Sequence, residues 1–417
     1  MNSDLLSDWL IYINSNRPNE DEFGLERLKN IFGQIVTKPV ARKTILVGGT
    51  NGKGTTAEYL KNFFSTAGYR VGLYTSPHLM EFNERIQIDQ ESIEDERIVQ
   101  SFKKIDKLKE DTKLTYFDYA TLASFDIFSE ESLDYAIFEI GIGGKYDPVN
   151  LINSDLSIVT NIDLDHQKWL GSSVEEIGSQ KAAIFKPGKI SILGSEKMPK
   201  SVTKRANKVS SSYYQLNKDF VIKRSKMHWS YAFDEKNVFV KSVPYGGLSC
   251  ESASSAITAF KLLSDKEIDF IQAIEETCLK GRCDVVDNFV LDVSHNPASV
   301  RNLVSFMHRR FKNIKFNAIF AAMDDKDSAS IIREISPLIS EWNICTIEDD
   351  RFNSSDLLSL TNSLTDKRVN KVDTVYSAVK TGYHAKTPQI VFGYLKYYLM
   401  EHIDYCPFDF LIQNVFD

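Results

Sequence analysis

The chain has 417 residues, of which 42% are hydrophobic and 12% aromatic, so it is too apolar for a disordered protein. This length exceeds what one hydrophobic core usually serves, and two domains are therefore expected. The formal net charge of -7 arises from 50 basic and 57 acidic residues without a long block of one sign, which argues against a nucleic-acid partner.

Cysteine usage and the N-terminal sequence favour a cytoplasmic protein. The chain has 5 cysteines and no Cys-x-x-Cys pair, a pattern typical of reduced thiols rather than of disulfides or a zinc site. The first 12 residues contain Asp4 and Asp8 and lack the basic stretch of a signal peptide. No apolar run approaches the length of a membrane span. We expect a cytoplasmic monomer that does not bind membranes.

The first strongly patterned segment is an apolar strand at 43–46 that runs into a glycine-rich turn and then a helix over 57–67. The turn reads Gly49, Thr50, Asn51, Gly52, Lys53, Gly54, Thr55 and Thr56. Glycines let backbone N–H groups converge, the helix N-terminus adds positive potential, and Lys53 supplies a point charge. Thr55 and Thr56 offer hydroxyls to a phosphate or to Mg²⁺. A ligand-free turn is the alternative, but the strand–helix context favours nucleotide binding.

Strands and helices then alternate along the first two hundred residues. The predicted strands are Val71–Tyr74, Tyr135–Ile140, Leu156–Ile162 and Ile190–Leu193, and the predicted helices are Ser92–Leu108, Phe117–Phe128 and Val174–Phe185. This alternation predicts an α/β protein with a P-loop-type, mostly parallel sheet flanked by helices. Ligands of such sheets bind at the carboxyl ends of the strands, so the loops that follow the strands are the candidate site.

The pattern changes in the second half of the chain. Residues 210–243 predict short antiparallel strands, and helices are predicted over 252–263 and 266–278. A second series follows, with strands at Val285–Leu291, Phe316–Ala322, Trp342–Ile347 and Ile390–Tyr394 and helices at Ser299–Phe311 and Ser328–Leu338. This series predicts a smaller, Rossmann-like α/β domain. The predicted division is an N-terminal ATP-binding domain over 1–270 and a C-terminal domain over 278–417.

Two strand-end loops carry polar groups suited to metal binding. Glu139 ends an apolar strand and precedes a glycine cluster, where a carboxylate can reach a divalent ion that bridges phosphate oxygens. A solvated strand-end acid is the alternative. His166 follows Asp165 in the next loop and is either a metal ligand or an ordinary loop histidine.

Lys181 lies beside the apolar residues 182–184 on a predicted helix. One interpretation is a surface lysine whose stem is buried and whose ammonium reaches water. The other is a lysine of depressed pKa, available for covalent modification or for contact with phosphate. Spacing alone does not choose between them.

In the second half, Gly281-Arg282 and the loop 292–297 are the polar motifs that stand out. The loop reads Asp-Val-Ser-His-Asn-Pro, and a helix cap explains its Asn-Pro but not Asp292 or His295. The chain lacks a Gly-x-Ser-x-Gly elbow, a His-Glu-x-x-His motif and a Gly-x-Gly-x-x-Gly after a first strand. Hydrolase and dinucleotide-binding interpretations therefore have little support.

Taken together, these segments resemble the folylpolyglutamate synthase/dihydrofolate synthase family of the Mur ligase superfamily, over a stretch from Phe23 to Gly393. The motifs that carry the resemblance are Gly49–Thr55, Thr75–Leu79, Asn83–Ile86, Glu139–Gly144, Asp165-His166, Lys181–Ile184 and Asp292–Pro297. The placement of Gly54 between Lys53 and Thr55 is the form that this family uses. The resemblance implies an ATP-dependent ligase that adds L-glutamate to dihydropteroate, to folate (poly)glutamates or to both, through an acyl phosphate.

The resemblance also implies roles for individual residues. Contacts to ATP are expected from Gly49–Thr56, Ser252, Arg282 and Asp292, and a part in catalysis from Lys53, Lys181 and His295. Magnesium ligands are expected at Ser76, Glu139, His166 and Lys181, with two Mg²⁺ sites, one of them formed through a carbamylated Lys181. Contacts to the pterin substrate are expected from Ser76, Pro77, His78, Phe117 and Thr121.

The chain departs from the family pattern just before the predicted domain boundary. Leu248, Ser249 and Ser252 stand where the family usually has His, Gln and an Asn that contacts adenine or phosphate, so altered nucleotide affinity is expected. The expected partners are dihydropteroate or a reduced folate, together with L-glutamate. The alternatives are a Mur-type ligase that acts on another carboxylate, or a nucleotide-binding paralogue with lost or weakened turnover.

Overall fold

The structure, a computed structural model, describes residues 1, 3–15, 24–347, 352–383 and 385–393. Phe23 and Tyr394, which bound segments named above, lie outside the described residues, and so does the cysteine Cys406. The chain divides into two compact units. The first unit contains Met1–His78, Phe82–Tyr245 and Ser249–Cys278, and the second contains Leu79–Glu81, Gly246–Leu248 and Leu279–Asp417. That residues 1–270 and 278–417 form two separate domains stays a prediction.

A mostly parallel sheet forms the centre of the first unit. Its described strands are β1 (Lys43–Gly48), β2 (Val71–Tyr74), β3 (Ile86–Ile88), β4 (Glu91–Ser92), β5 (Tyr135–Glu139), β6 (Leu156–Val159), β7 (Ile190–Leu193) and β8 (Ser212–Gln215). The strand order is β4-β3-β2-β5-β1-β6-β7-β8, and the pairs from β2 to β8 are parallel. Strands β2, β5 and β6 are buried throughout, because helices cover both faces of a parallel sheet.

The described helices of the first unit are α1 (Leu6–Ser15), α2 (Glu26–Ile35), α3 (Lys53–Thr66), α4 (Asp95–Leu108), α5 (Tyr116–Glu130), α6 (Gln167–Leu170), α7 (Val174–Lys181), α8 (Lys200–Val209), α9 (Cys250–Leu263) and α10 (Phe270–Glu276). Helix α3 packs against α9 and against β5, where the rings of Phe64 and Tyr135 stack with centroids 3.8 Å apart. Helix α7 ends before the predicted Phe185, because a 3-10 turn over Ala182–Ile184 follows it.

The segment predicted to be antiparallel contains two kinds of strand. β9 (Val221–Arg224), β10 (His228–Phe233) and β11 (Val238–Pro244) form an antiparallel sheet, as expected. The prediction is wrong for β8, which pairs in parallel with β7. An edge strand that is half exposed shows the same alternating pattern whichever way its single neighbour runs, so the pattern carries no information on direction.

The second unit contains another mostly parallel sheet. Its described strands are β12 (Asp284–Val286), β13 (Phe289–Asp292), β14 (Phe316–Ala321), β15 (Ile339–Cys345), β16 (Arg368–Val372) and β17 (Gln389–Gly393), in the order β12-β13-β17-β14-β15-β16. The described helices are α11 (Pro297–Arg310), α12 (Ser328–Ile335), α13 (Ser354–Leu364) and α14 (Val375–Tyr383). The predicted fold class, α/β with mostly parallel sheets, is confirmed.

The strand predicted at Val285–Leu291 is wrong. The structure has the antiparallel hairpin β12–β13 instead, with Asp287 at a positive φ of 51° in the turn. Asp and Asn tolerate this left-handed backbone better than other side chains, so Asp287-Asn288 is a turn sequence within an otherwise apolar run. The hairpin places Arg282 two residues before β12 and Asp292 at the end of β13.

None of the helices in the described ranges is long and apolar enough to cross a membrane. Cys250, Cys278, Cys283 and Cys345 are free thiols.

Candidate active site

The glycine-rich turn joins β1 to α3 in the first unit. Gly52, the residue before α3, has a φ of 80°, and Gly49 has a φ of 138°. Both values lie in the left-handed region that favours glycine. A Cβ atom on Gly49 would also overlap the hydroxyl oxygen of Thr160. The turn therefore requires glycine at both positions, and it leaves the first N–H groups of α3 directed at the space in front of the helix.

The loop after β6 holds this turn in place. The N–H groups of Thr50 and Asn51 donate to the backbone oxygen and the Oδ1 of Asn161, at 2.9 and 3.0 Å. The hydroxyl of Thr160 donates to the carbonyl of Asn51 at 2.7 Å. Sequence analysis did not single out Thr160 and Asn161 as functional, although their position directly after a buried strand is a signal that could have identified them.

The polar side chains of the turn differ in what they contact. Lys53 Nζ donates to the carbonyl of Thr50 at 3.3 Å, so the ammonium lies over the turn. Thr56 is fully buried, and its hydroxyl donates to the carbonyl of Gly52 at 2.8 Å. The Thr56 proton is thus used within the first turn of α3. Contacts of Lys53, Thr55 and Thr56 with a phosphate stay predictions.

Glu139 lies against the first turn of α3. Its side chain is buried and accepts hydrogen bonds from the backbone N–H of Ser76, at 3.0 Å, and from the hydroxyl of Thr75. A Cβ atom on Gly54 would be 3.4 Å from its Oε2. The structure thus brings the predicted metal ligands Glu139 and Ser76 to the glycine-rich turn Gly49–Thr56, which we call the phosphate loop. Donors from the loop after β2 orient the carboxylate of Glu139.

Among the described residues, no group of three or more His, Cys, Asp or Glu side chains is arranged to hold a metal ion. Mg²⁺ is usually bound by one or two carboxylates together with substrate phosphates and water. A single buried carboxylate beside a phosphate loop provides the oxygen ligand that such an ion requires.

Lys181 is buried, with a relative exposure of 3%, and its Nζ donates to the carbonyl of Gly49 at 2.7 Å. Burial, and after it the positive charge of Lys53, lower the pKa of Lys181 to about 7, while Asp165 and Asp147 oppose the shift. Of the two interpretations left open above, the structure excludes the surface lysine. The amine lies under the phosphate loop and is neutral in a large fraction of molecules near neutral pH.

His166 caps α6 from a loop that also contacts the phosphate loop. Its φ is 50°, and its N–H donates to Asp165 Oδ1 at 2.9 Å. The same loop receives a hydrogen bond from Thr50, whose hydroxyl donates to the carbonyl of Asp163 at 3.3 Å. The imidazole Nε2 lies 3.8 Å from Asp165 Oδ2. A contact between His166 and a metal ion stays a prediction.

Asp147 is a functional candidate that sequence analysis did not select. Its buried carboxylate accepts three backbone N–H bonds, from Gly141 at 2.9 Å, Ile142 at 3.1 Å and Val149 at 2.9 Å. Burial raises the pKa of Asp147 to about 7, although these donors favour the carboxylate. Asp147 therefore fixes the glycine-rich loop that follows Glu139. The signal in the sequence is an acid shortly after a run of glycines, whose N–H groups need an acceptor.

The residues predicted to contact the pterin differ in their surroundings. The ring of Phe117 packs against Gly141. His78 is 3% exposed, and its Nδ1 accepts a hydrogen bond from Arg85 Nε at 2.7 Å. Thr121 is fully buried, and its hydroxyl pairs with that of Tyr74 at 3.0 Å. This burial does not favour a direct contact with Thr121; substrate roles for all five predicted residues stay predictions. The five are Ser76, Pro77, His78, Phe117 and Thr121.

In the second unit, the carboxylate of Asp292 joins two loops. It is buried and accepts hydrogen bonds from the N–H groups of Cys283, at 2.9 Å, and Ser294, at 2.8 Å. The thiol of Cys283 and the hydroxyl of Ser294 donate to it as well. The carboxylate thereby fixes the backbone on both sides of the hairpin, next to Arg282 and His295. Their predicted roles at ATP stay predictions.

Residues 47–257 match the family model of the Mur ligase middle domain. The chain is 32% identical over 397 residues to the dihydrofolate synthase/folylpolyglutamate synthase of Buchnera aphidicola subsp. Schizaphis graminum. This match covers 93% of this chain and 94% of that relative.

Solved structures with the same fold contain nucleotides. The chain matches Escherichia coli FolC in complex with DHPP and ADP at a TM-score of 0.88 and 27% identity, over 100% of this chain and 99% of that chain. It matches the bifunctional folylpolyglutamate synthase/dihydrofolate synthase of Yersinia pestis, complexed with AMPPNP and Mn ion, at a TM-score of 0.87 and 30% identity, over 95% and 97% of the two chains.

The crowding at Gly49 predicts a strong effect of a single methyl group. Gly49→Ala is expected to destabilise the protein by about 2–4 kcal/mol, because the Cβ overlaps Thr160 and the backbone is strained. We expect ADP binding to be lost with it. The matched control is Gly33→Ala in α2, where a Cβ meets nothing within 4 Å and the helix gains about 0.5–1 kcal/mol. Urea unfolding and an ADP titration check both; a Gly49→Ala protein as stable as the control contradicts the prediction.

Proposed function

Because the chain belongs to the dihydrofolate synthase/folylpolyglutamate synthase family of ATP-dependent ligases, we propose that it joins L-glutamate to the carboxylate of dihydropteroate and of folate glutamates. One observation supports this most directly. The phosphate loop carries a buried carboxylate on one side, Glu139 at Gly54, and a buried amine on the other, Lys181 at Gly49. Phosphoryl transfer to a carboxylate needs such charges and positions, and no covalent nucleophile.

The reaction proceeds in two steps. The substrate carboxylate attacks the γ-phosphorus of ATP, which releases ADP and leaves an acyl phosphate. The amine of L-glutamate then attacks the acyl carbon, phosphate departs, and an amide remains. In the first step the N–H groups of residues 52–55 and the ammonium of Lys53 hold the phosphates and neutralise charge that develops on them.

Magnesium would be held by Glu139, with Ser76, His166 and modified Lys181 as the other predicted ligands. When bound, the ion supplies further neutralisation of the phosphate charges. Thr75 and Ser76 support this role of Glu139, because their hydrogen bonds orient its carboxylate before any ligand arrives. The Yersinia pestis relative was solved with AMPPNP and Mn ion, which agrees with a divalent ion at this kind of site.

Carbamylation of Lys181 completes the proposed site. A neutral amine attacks CO₂ through its nitrogen lone pair and loses a proton, which converts the side chain into an anionic carbamate. The pKa of Lys181, lowered to about 7 by burial, makes the neutral amine available near neutral pH. The nearby positive charge of Lys53 favours the anionic product. A monomeric state and a cytoplasmic location stay predictions.

A phosphate-release assay tests the activity. With ATP and Mg²⁺, we expect release that requires both L-glutamate and a pteroate acceptor, either dihydropteroate or a reduced folate. Release with a muramyl substrate instead would identify a different ligase. ATP binding without release on any acceptor would identify a paralogue that lacks turnover.

Glu139→Gln is expected to reduce phosphate release at least about a hundredfold, because an oriented charge next to the transferred phosphate is removed. The amide keeps the size of the side chain, so the unfolding temperature should change little. The control is Glu130→Gln, at a carboxylate that is 63% exposed at the end of α5, which should keep wild-type activity. Retained activity in Glu139→Gln would overturn the metal assignment.

Lys181 is expected to carry a carbamate that ¹³C NMR detects after incubation with ¹³C-bicarbonate. At a fixed concentration of dissolved CO₂, occupancy should rise as pH increases through about 7, because the folded-state pKa is lowered to that value and the neutral amine reacts. The signal should vanish in Lys181→Met. Lys186→Met is the matched control, since Lys186 is also largely buried, with a pKa lowered to about 8, but is bound to Asn150. A signal that persists in Lys181→Met, or disappears in the control, contradicts the assignment.

A further inference from the structure

The carbonyl oxygen of Gly52 receives hydrogen bonds from two helices of the first unit. From α3, the N–H and the hydroxyl of Thr56 donate to it at 2.9 and 2.8 Å. From α9, the hydroxyl of Ser252 donates to it at 3.4 Å. A Cβ atom on Gly52 would be 2.9 Å from Ser252 Oγ, so α9 and the phosphate loop approach each other closely here.

Ser249 sets the direction of the Ser252 hydroxyl. The hydroxyl of Ser249 donates to Ser252 Oγ at 2.8 Å, while its own oxygen accepts from the N–H of Ser252 at 3.1 Å. Because Ser252 Oγ already accepts this proton, its own proton is available for the carbonyl of Gly52. Ser252 is 4% exposed, so water has little access to compete for that carbonyl.

The orientation of this carbonyl decides where the next N–H points. Carbonyl and N–H of a trans peptide point in opposite directions, so a Gly52 carbonyl directed at Thr56 and Ser252 directs the N–H of Lys53 away from both, towards the open side of the turn. Glycine at a φ of 80° has several other conformations available. The hydrogen bonds to its carbonyl are therefore what keeps this peptide in one orientation.

We propose that Ser252 is a positioning residue for the phosphate loop: its hydroxyl, oriented by Ser249, holds the Gly52–Lys53 peptide so that the Lys53 N–H faces a nucleotide phosphate. This inference rests on the proposed function, because it requires a nucleotide at the loop. It gives Ser252 an indirect role in phosphate affinity, whereas the family resemblance implies a direct contact with the nucleotide.

The test compares Ser252→Ala with the matched control Ser254→Ala. Ser254 is a fully buried serine of the same helix, and its hydroxyl donates to the carbonyl of Glu251 at 2.8 Å, within α9. Calorimetry with ADP and with inorganic tripolyphosphate, which lacks a base and a sugar, measures affinity. We expect Ser252→Ala to weaken both ligands by the same factor, roughly threefold to tenfold for one hydrogen bond, and Ser254→Ala to weaken neither.

Steady-state kinetics separate positioning from loss of folded protein. For Ser252→Ala we expect the KM for ATP to rise by the same factor as the dissociation constant, with kcat, the KM for glutamate and the unfolding temperature close to those of Ser254→Ala. Weaker binding of ADP alone would show a contact with the nucleoside and overturn the inference. Equal affinities in wild type and Ser252→Ala would overturn it too. A wild-type protein that binds neither ligand would overturn the proposed function as well.

Discussion

The hydrogen bond from Lys181 Nζ to the carbonyl of Gly49 is the contact on which the site depends. An ammonium ion taken out of water is destabilised by several kcal/mol unless it is paired, so the buried group shifts towards its neutral form. The partner here is a backbone carbonyl, which satisfies one N–H of a neutral amine and leaves its lone pair unused. The same contact ties the end of α7 to the phosphate loop. Lys181 thus both connects α7 to the phosphate loop and supplies a reactive amine at that loop.

The order of the strands explains why the remaining groups gather around this contact. In the first unit β1 lies between β5 and β6, and all three run parallel. Their carboxyl ends therefore lie side by side. The phosphate loop follows β1, Glu139 ends β5, and the segment from Thr160 to His166 follows β6. β2 is the next strand beyond β5 and contributes Ser76 in the same way. Because each polar group lies at the carboxyl end of a parallel strand, the sheet itself brings these groups to the same edge.

Local pattern was sufficient for some of the strands buried on both faces, although β6 ends at Val159 and not at the predicted Ile162. The strands Val71–Tyr74 and Ile190–Leu193 have the predicted bounds, because a continuous apolar run between turn residues has few other structures. Pattern failed at Asp287, where two residues reverse the chain within an apolar run, and at β8, where direction depends on a neighbour. The same division holds for the site. Motif residues such as Lys53 were identified, but hydrogen bonds between loops, such as those of Asn161 to the phosphate turn, are set by tertiary structure.

Two of the expected departures from the family pattern, Ser249 and Ser252, replace neutral residues, and this bears on whether turnover is retained. Ser252 contacts the phosphate loop through its hydroxyl, and Ser249 orients that hydroxyl. One such hydrogen bond changes affinity by roughly threefold to tenfold. The groups proposed to act on phosphate, Lys53, Glu139 and Lys181, are all present. Two of them are buried, at 4% exposure for Glu139 and 3% for Lys181. An apolar residue of similar volume would be more stable at either position. A buried carboxylate and a buried amine add nothing to packing, so their presence beside the loop agrees with a reaction at the phosphate.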